Sequence, residues 1–77
     1  MIAAYILIET EPGMAATVAA ALRDVPGVSE TASAAGPYDV IARAQAPGIN
    51  ELGKLAASWV QALNGVRRAL TCLVVHL

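Results

Sequence analysis

Apolar and polar positions change rhythm several times along this chain, and each change marks an element. From Ile2 the residues run Ile-Ala-Ala-Tyr-Ile-Leu-Ile before Glu9, which predicts a first strand over residues 2–10. Met14, Val18 and Leu22 then recur every four residues, with Val25 beyond, among alanines that favour helix. Pro12 stands where the first helical turn should begin, and Pro26-Gly27 stops the helix. Residues 28–34 predict a second strand, the most polar of the four through Ser29, Glu30, Thr31 and Ser33, and so suited to an exposed edge. After the turn Ala35-Gly36-Pro37-Tyr38, residues 39–45 predict a third strand with Ile41, Arg43 and Gln45 on one side. The second helix is predicted over residues 50–63, where Ile49, Leu52, Ala56, Trp59 and Leu63 step along one face and Leu55 widens it. Gly53 weakens that helix by about 1 kcal/mol relative to alanine and either marks a close backbone approach or is tolerated. Asn64-Gly65 is its stop, and the fourth strand runs from residue 66 to about residue 75.

These elements form two copies of one unit. Glu11-Pro12-Gly13 and Ala46-Pro47-Gly48 each end an apolar run and open a helix. Pro26-Gly27-Val28 and Asn64-Gly65-Val66 each turn that helix into the next strand. Pro12 and Pro47 are 35 residues apart, and Gly27 and Gly65 are 38 apart. Two successive β-α-β units predict an α+β, ferredoxin-like βαββαβ sandwich, a four-stranded antiparallel sheet with two helices on one face.

A sheet covered on one face alternates apolar and polar residues. The first strand does not alternate between Ile2 and Ile8, and in the fourth Thr71 is the only polar residue from Ala69 to Val75. Helices cover one face of these strands. The other face is expected to pack on the sheet of a second copy, giving a dimer of the α+β barrel type.

Composition agrees. Residues 1–77 form a single domain with no room for a second, yet 57% of them are apolar and the mean hydropathy is +0.59. That is a large apolar surface for so small a core, although an alanine-rich bias contributes. The net charge is −1, and the five basic residues, Arg23, Arg43, Lys54, Arg67 and Arg68, are scattered. No basic stripe exists to neutralise a phosphate backbone, so direct nucleic-acid binding is not expected. The first apolar run meets Glu9 too soon to span a membrane and lacks the basic start of a signal peptide, so the expected compartment is the cytoplasm. Cys72 is the single cysteine and, within an apolar run, is expected to act as a small buried hydrophobe.

The catalytic inventory is thin. His76, the only histidine, has no nucleophile or acidic partner at a recognisable spacing, and with Cys72 alone it makes no metal site. The Pro-Gly segments lack the glycine run and lysine of a phosphate loop, and no cofactor is implied. Tyr5, Tyr38 and Trp59 are too few and too scattered for a base-stacking sheet. The segment with chemical content is Gly36-Pro37-Tyr38-Asp39. The Asp39 carboxylate can receive an ammonium group, and the N–H groups of Gly36 and Tyr38 can receive a carboxylate, which Pro37, having no N–H, cannot. These are the two halves needed to hold a free amino acid. Equally, Asp39 can cap its own turn.

In order and spacing, the segments Ala4-Tyr5-Ile6-Leu7-Ile8, Glu11-Pro12-Gly13, Pro26-Gly27-Val28, Gly36-Pro37-Tyr38-Asp39 and Asn64-Gly65-Val66-Arg67-Arg68, followed by Thr71, span nearly the whole chain. The chain so read resembles the ligand-binding and assembly (RAM) domain of the Lrp/AsnC feast/famine transcription regulators. The resemblance implies dimers formed through the sheets, rings of dimers, often octamers, and an amino-acid effector bound between dimers near the glycine turn. By position it implies that Gly36, Tyr38 and Asp39 contact ligand, with Thr71 as a further candidate. Two departures stand out. Ala35 replaces the small hydroxyl residue usual before the glycine, and Met1 begins directly at the first strand, where full-length members carry an N-terminal helix-turn-helix.

The function expected is a non-enzymatic, amino-acid-binding oligomerisation module that regulates transcription indirectly by assembling with full-length Lrp/AsnC-type regulators. The alternatives are a purely structural assembly module, an ACT-like regulatory domain, or a small enzyme of the dimeric α+β barrel type.

Overall fold

The computed structural model describes residues 1–75; His76 and the last residue lie outside the described residues. The elements follow the order β1 (Ile2–Thr10), α1 (Ala15–Arg23), β2 (Val28–Ser33), β3 (Val40–Ala46), α2 (Ile49–Lys54) continued by a π-helical segment (Leu55–Val60), and β4 (Val66–Leu73). The strands form one antiparallel sheet in the order β2-β3-β1-β4, with both helices on one face. This is the ferredoxin-like βαββαβ sandwich that the repeat predicts. The polar strand β2 is one edge of the sheet, as expected, and β4 is the other.

The core lies between sheet and helices. Ala4, Ile6 and Ile8 on β1 and Val40, Ala42, Ala44 and Ala46 on β3 face Val18, Ala19 and Leu22 of α1 and Leu52, Leu55 and Val60 of the second helix. Each fully buried Ile, Leu or Val contributes roughly 1.5–3 kcal/mol. The small alanines on β3 let the helices sit close to the sheet.

Pro12 does not begin α1. It occupies the second position of a turn in which the Met14 N–H donates to the Glu11 carbonyl at 3.0 Å, and Gly13 takes φ +78°. That is a type II turn, whose third residue must tolerate a positive φ. The helix therefore starts at Ala15 rather than at the proline.

The second helix departs further from the simple periodic reading. The expected face was Ile49, Leu52, Ala56, Trp59 and Leu63. Leu52 is buried there, but Ile49 and Trp59 remain 57% and 53% exposed, while Leu55 and Val60 enter the core. After Lys54 the helix widens to i→i+5 bonding, and the Gln61 N–H reaches the Ala56 carbonyl at 3.3 Å. The wider turn puts Val60, five residues after Leu55, where an α-helix would have put Trp59. The helix also ends at Val60, three residues before the expected end, and a turn leads to Gly65. No atom approaches a Cβ placed on Gly53, so that glycine marks no close approach.

The two glycine turns lock the halves together in the same manner. Gly27 and Gly65 both take φ +97°. The Gly27 carbonyl accepts the Gln45 N–H and the Gly65 carbonyl accepts the Glu11 N–H, each at 2.8 Å. Each glycine also abuts the other half's helical unit. A Cβ on Gly27 would lie 2.6 Å from Leu55 Cδ1, and one on Gly65 would lie 2.9 Å from Met14 Cε.

Among the described residues, no helix lies over the outer face of the sheet. By register it carries Tyr5 and Leu7 on β1, Ile41 and Arg43 on β3, and Leu70 and Cys72 on β4. Tyr5 and Leu70 are 44% and 47% exposed, and the Cys72 thiol, expected as a buried hydrophobe, is exposed in the isolated chain. It points away from the only layer that one chain can supply.

Candidate functional site

Antiparallel topology gathers three turns at one end of the sheet: the 34–39 connection between β2 and β3, the Pro12-Gly13 turn after β1, and the Gly65 turn before β4. Gly36 sits in the first, exposed, at φ +156°, with open space where a Cβ would lie. Tyr38 and Asp39 follow, both half-buried.

Asp39 organises this end of the molecule. Its N–H donates to the Ile8 carbonyl and its carbonyl accepts the Ala34 N–H, each at 2.8 Å. Its Oδ2 accepts the Thr10 N–H at 2.8 Å and the Thr10 hydroxyl at 3.3 Å. The pairing of β1 with β4 slips in register between Glu9 and Thr10. The carboxylate thus receives an N–H at the place where the ladder is irregular. It satisfies Thr10, the one buried polar residue among the described residues. Asp39 therefore bonds across to β1 rather than capping its own turn. Thr10 is a site residue that the sequence pattern did not single out, because the partnership spans 29 residues and arises only when β1 and β3 pair.

Among the described residues, the Gly36 and Tyr38 N–H groups take no backbone carbonyl. Two free donors, an anchored carboxylate with a second oxygen to spare, and a phenol adjoin one another along four residues. Such a set can meet a carboxylate and an ammonium group at once.

Thr71 lies elsewhere. On β4 it pairs with Ile6 of β1, is exposed, and lines an apolar groove of about 280 Å3 with Ile49, Leu52, Gly53, Ala56 and Leu73. None of Gly36, Tyr38 or Asp39 borders that groove. Within one chain the fold keeps Gly36, Tyr38 and Asp39 together and separates Thr71 from them.

On the outer face Arg68 donates to Glu9 through Nε at 3.0 Å and Nη2 at 2.6 Å. The hydrogen bond to Glu9, and then its charge, raise the Arg68 guanidinium above its ordinary pKa. Among the described residues no three His, Cys, Asp or Glu side chains gather as metal ligands. No helix there is long and apolar enough to cross a membrane.

A profile of the Lrp/AsnC ligand binding domain matches residues 3–76. The chain belongs to that family. Among solved structures, the Thermus thermophilus protein TTHA0845 is 30% identical, with a TM-score of 0.93 over 100% of this chain and 96% of that one. Escherichia coli AsnC superposes with a TM-score of 0.90 at 17% identity, covering 99% of this chain and 52% of AsnC. The Neisseria meningitidis transcriptional regulator NMB0573, solved as a complex with L-Met, gives a TM-score of 0.86 at 21% identity, covering 97% of this chain and 50% of that one. The chain thus spans about half the length of those two regulators. No curated protein sequence matches it. The family is named for ligand binding, and in this Lrp/AsnC domain the Gly36 turn carries free backbone donors beside an anchored carboxylate.

Proposed function

We propose that this Lrp/AsnC domain is a non-enzymatic assembly module that responds to a free amino acid bound at the 36–39 turn. The observation that carries the reading is the state of that turn. Asp39 is anchored through Thr10 while the Gly36 and Tyr38 N–H groups remain unspent. The carboxylate receives the ligand's ammonium and the two N–H groups receive its carboxylate. The L-Met bound to the Neisseria regulator is a ligand of this class.

The assembled unit is a dimer packed through the outer sheet faces, with further dimers closing around the turns and Thr71 supplied from a neighbouring copy. Tyr5, Leu7, Ile41 and Leu70 supply the apolar contact. Ligand shifts assembly only by its differential affinity for the two states. A molecule with so few atoms binds with dissociation constants of roughly micromolar to millimolar. Mixed assembly with full-length Lrp/AsnC regulators would pass the effector signal to transcription without a DNA contact by this domain.

Sedimentation with and without a panel of amino acids tests the proposal. We expect a dimer or larger at micromolar concentration, a ligand-dependent change in size for at least one amino acid, and loss of that change in Asp39→Ala with the dimer intact. Leu70→Glu should split the dimer. A well-behaved wild-type monomer would sink the assembly reading, and silence across the whole panel would sink the sensor reading. A second reading, assembly without ligand, is favoured by Ala35 and by the structural bonds Asp39 makes to Thr10. It predicts that silence.

A further inference from the structure

At the opposite end of the sheet from the Gly36 turn, the start of β1, the turn after α1 and the entry to α2 enclose an open groove of about 410 Å3. Its walls are largely apolar, with Pro26, Pro47, Leu55 and the indole of Trp59 on its sides and the exposed Met1 at its border. Gly27 holds one wall close, since its positive φ and its contacts with Leu55 and the Gln45 carbonyl leave no room for a side chain. Trp59 faces this groove only because the π-helical segment substitutes Val60 for it in the core. Such segments are rare and recur at functional sites. The rim carries charge. Glu51 and Lys54 border the groove three residues apart, both exposed. The ion pair among the described residues is Arg68 with Glu9, so Lys54 has no anion.

We propose that this groove binds an aromatic carboxylate. Its ring lies against Trp59 between the two prolines, and its carboxylate meets Lys54. A slot with a flat indole wall and proline faces favours a planar ring over a branched chain. The nearby Glu51 carboxylate repels a dianion such as phosphate more strongly than a monocarboxylate, which Lys54 can offset, and a neighbouring ammonium group on the ligand would meet Glu51. This site is separate from the amino-acid site proposed at residues 36–39 and does not depend on it.

Trp59 is the only tryptophan and borders this groove, so its emission reports on what binds there. The test titrates the protein with L-phenylalanine and with 3-phenyllactate, using phenylethanol as a ring without a carboxylate and alanine as a carboxylate without a ring. We expect saturable changes in emission for the first two, with dissociation constants on the order of 0.1–10 mM, and none for the controls. Lys54→Gln should weaken binding about three- to fivefold, and Asp39→Ala should leave it unchanged. Tighter binding of phenylalanine than of phenyllactate would assign Glu51 to the ammonium group, and the reverse order would assign a simple aromatic acid. The proposal is overturned by the absence of a saturable response, by an equal response in Lys54→Gln, or by its loss in Asp39→Ala. It is also overturned if emission changes with protein concentration alone, which would mean that a second copy covers the groove.

Discussion

The two β-α-β halves of this chain start from the same sequence pattern and end with different geometry. Where they agree, they hold the fold. Gly27 and Gly65 share a φ of +97°, each accepts one N–H from the end of a central strand, and each presses on the helical unit of the other half. Where they differ, they expose chemistry. Pro12-Gly13 makes a type II turn, whereas Gly48 is extended and stands at the head of α2. The first helix is regular and buries Val18 and Leu22. The second widens after Lys54 and turns Trp59 outward. Symmetry in the glycine turns leaves the helices and the 36–39 connection free to diverge without loss of the core.

The sharpest way to break this comparison is to fill the glycines. Gly27→Ala should cost about 3 kcal/mol, since its Cβ would meet the Gln45 backbone oxygen at 2.8 Å, which cannot swing aside. Gly65→Ala should cost less, about 2 kcal/mol, because its close neighbours are side-chain atoms of Met14 and the buried Val18 rather than backbone, although Met14 Cβ at 3.0 Å and Val18 Cγ2 at 3.1 Å give way only partly. Urea unfolding of both variants measures the gap, and equal losses would show that the halves are energetically as well as geometrically alike.

The helices provide the next test. Val60→Ala should lose about 2 kcal/mol, near the loss from Val18→Ala in α1, because both side chains are fully buried. Trp59→Ala should change stability by less than about 0.5 kcal/mol. A costly Trp59→Ala with a harmless Val60→Ala would restore the regular α-helical register and refute the π-helical one.

At the 36–39 turn, Asp39→Ala should cost about 1–1.5 kcal/mol, since it leaves the Thr10 N–H and hydroxyl without their acceptor. Hydrogen exchange should locate the loosening at the Thr10 amide. The smallest effect belongs to Arg68→Gln, which should not move the unfolding midpoint measurably, because the guanidinium is in water. The raised Arg68 pKa gives stability that is fully present below the unfolded value and lost only above it, at strongly alkaline pH. This pair therefore contributes no change in midpoint across the neutral range, and wild type and Arg68→Gln should keep the same profile there.

Element type, order and the ferredoxin-like topology were legible because periodicity is local: four-residue spacing for α1, an unbroken apolar run for β1, and glycines at both helix exits. The 36–39 segment could be picked out because Gly, Pro and Asp mark a turn and Asp39 places a carboxylate where that turn meets an apolar strand. The Thr10 bond, the outward Trp59 and the separation of Thr71 were not legible. The only trace of the wider turn was the five-residue step from Leu55 to Val60, which an alanine-rich helix hides.

Sequence alone determined which backbone each segment prefers and how much apolar surface must be hidden, since those depend on side-chain shape and hydration near each residue. Tertiary structure decided which oxygen satisfies the Thr10 amide, which aromatic leaves the core, and which strand face stays uncovered. Those outcomes depend on packing strands and helices from distant parts of the chain against one another. Small shifts in register then choose between side chains that local pattern treats as equivalent.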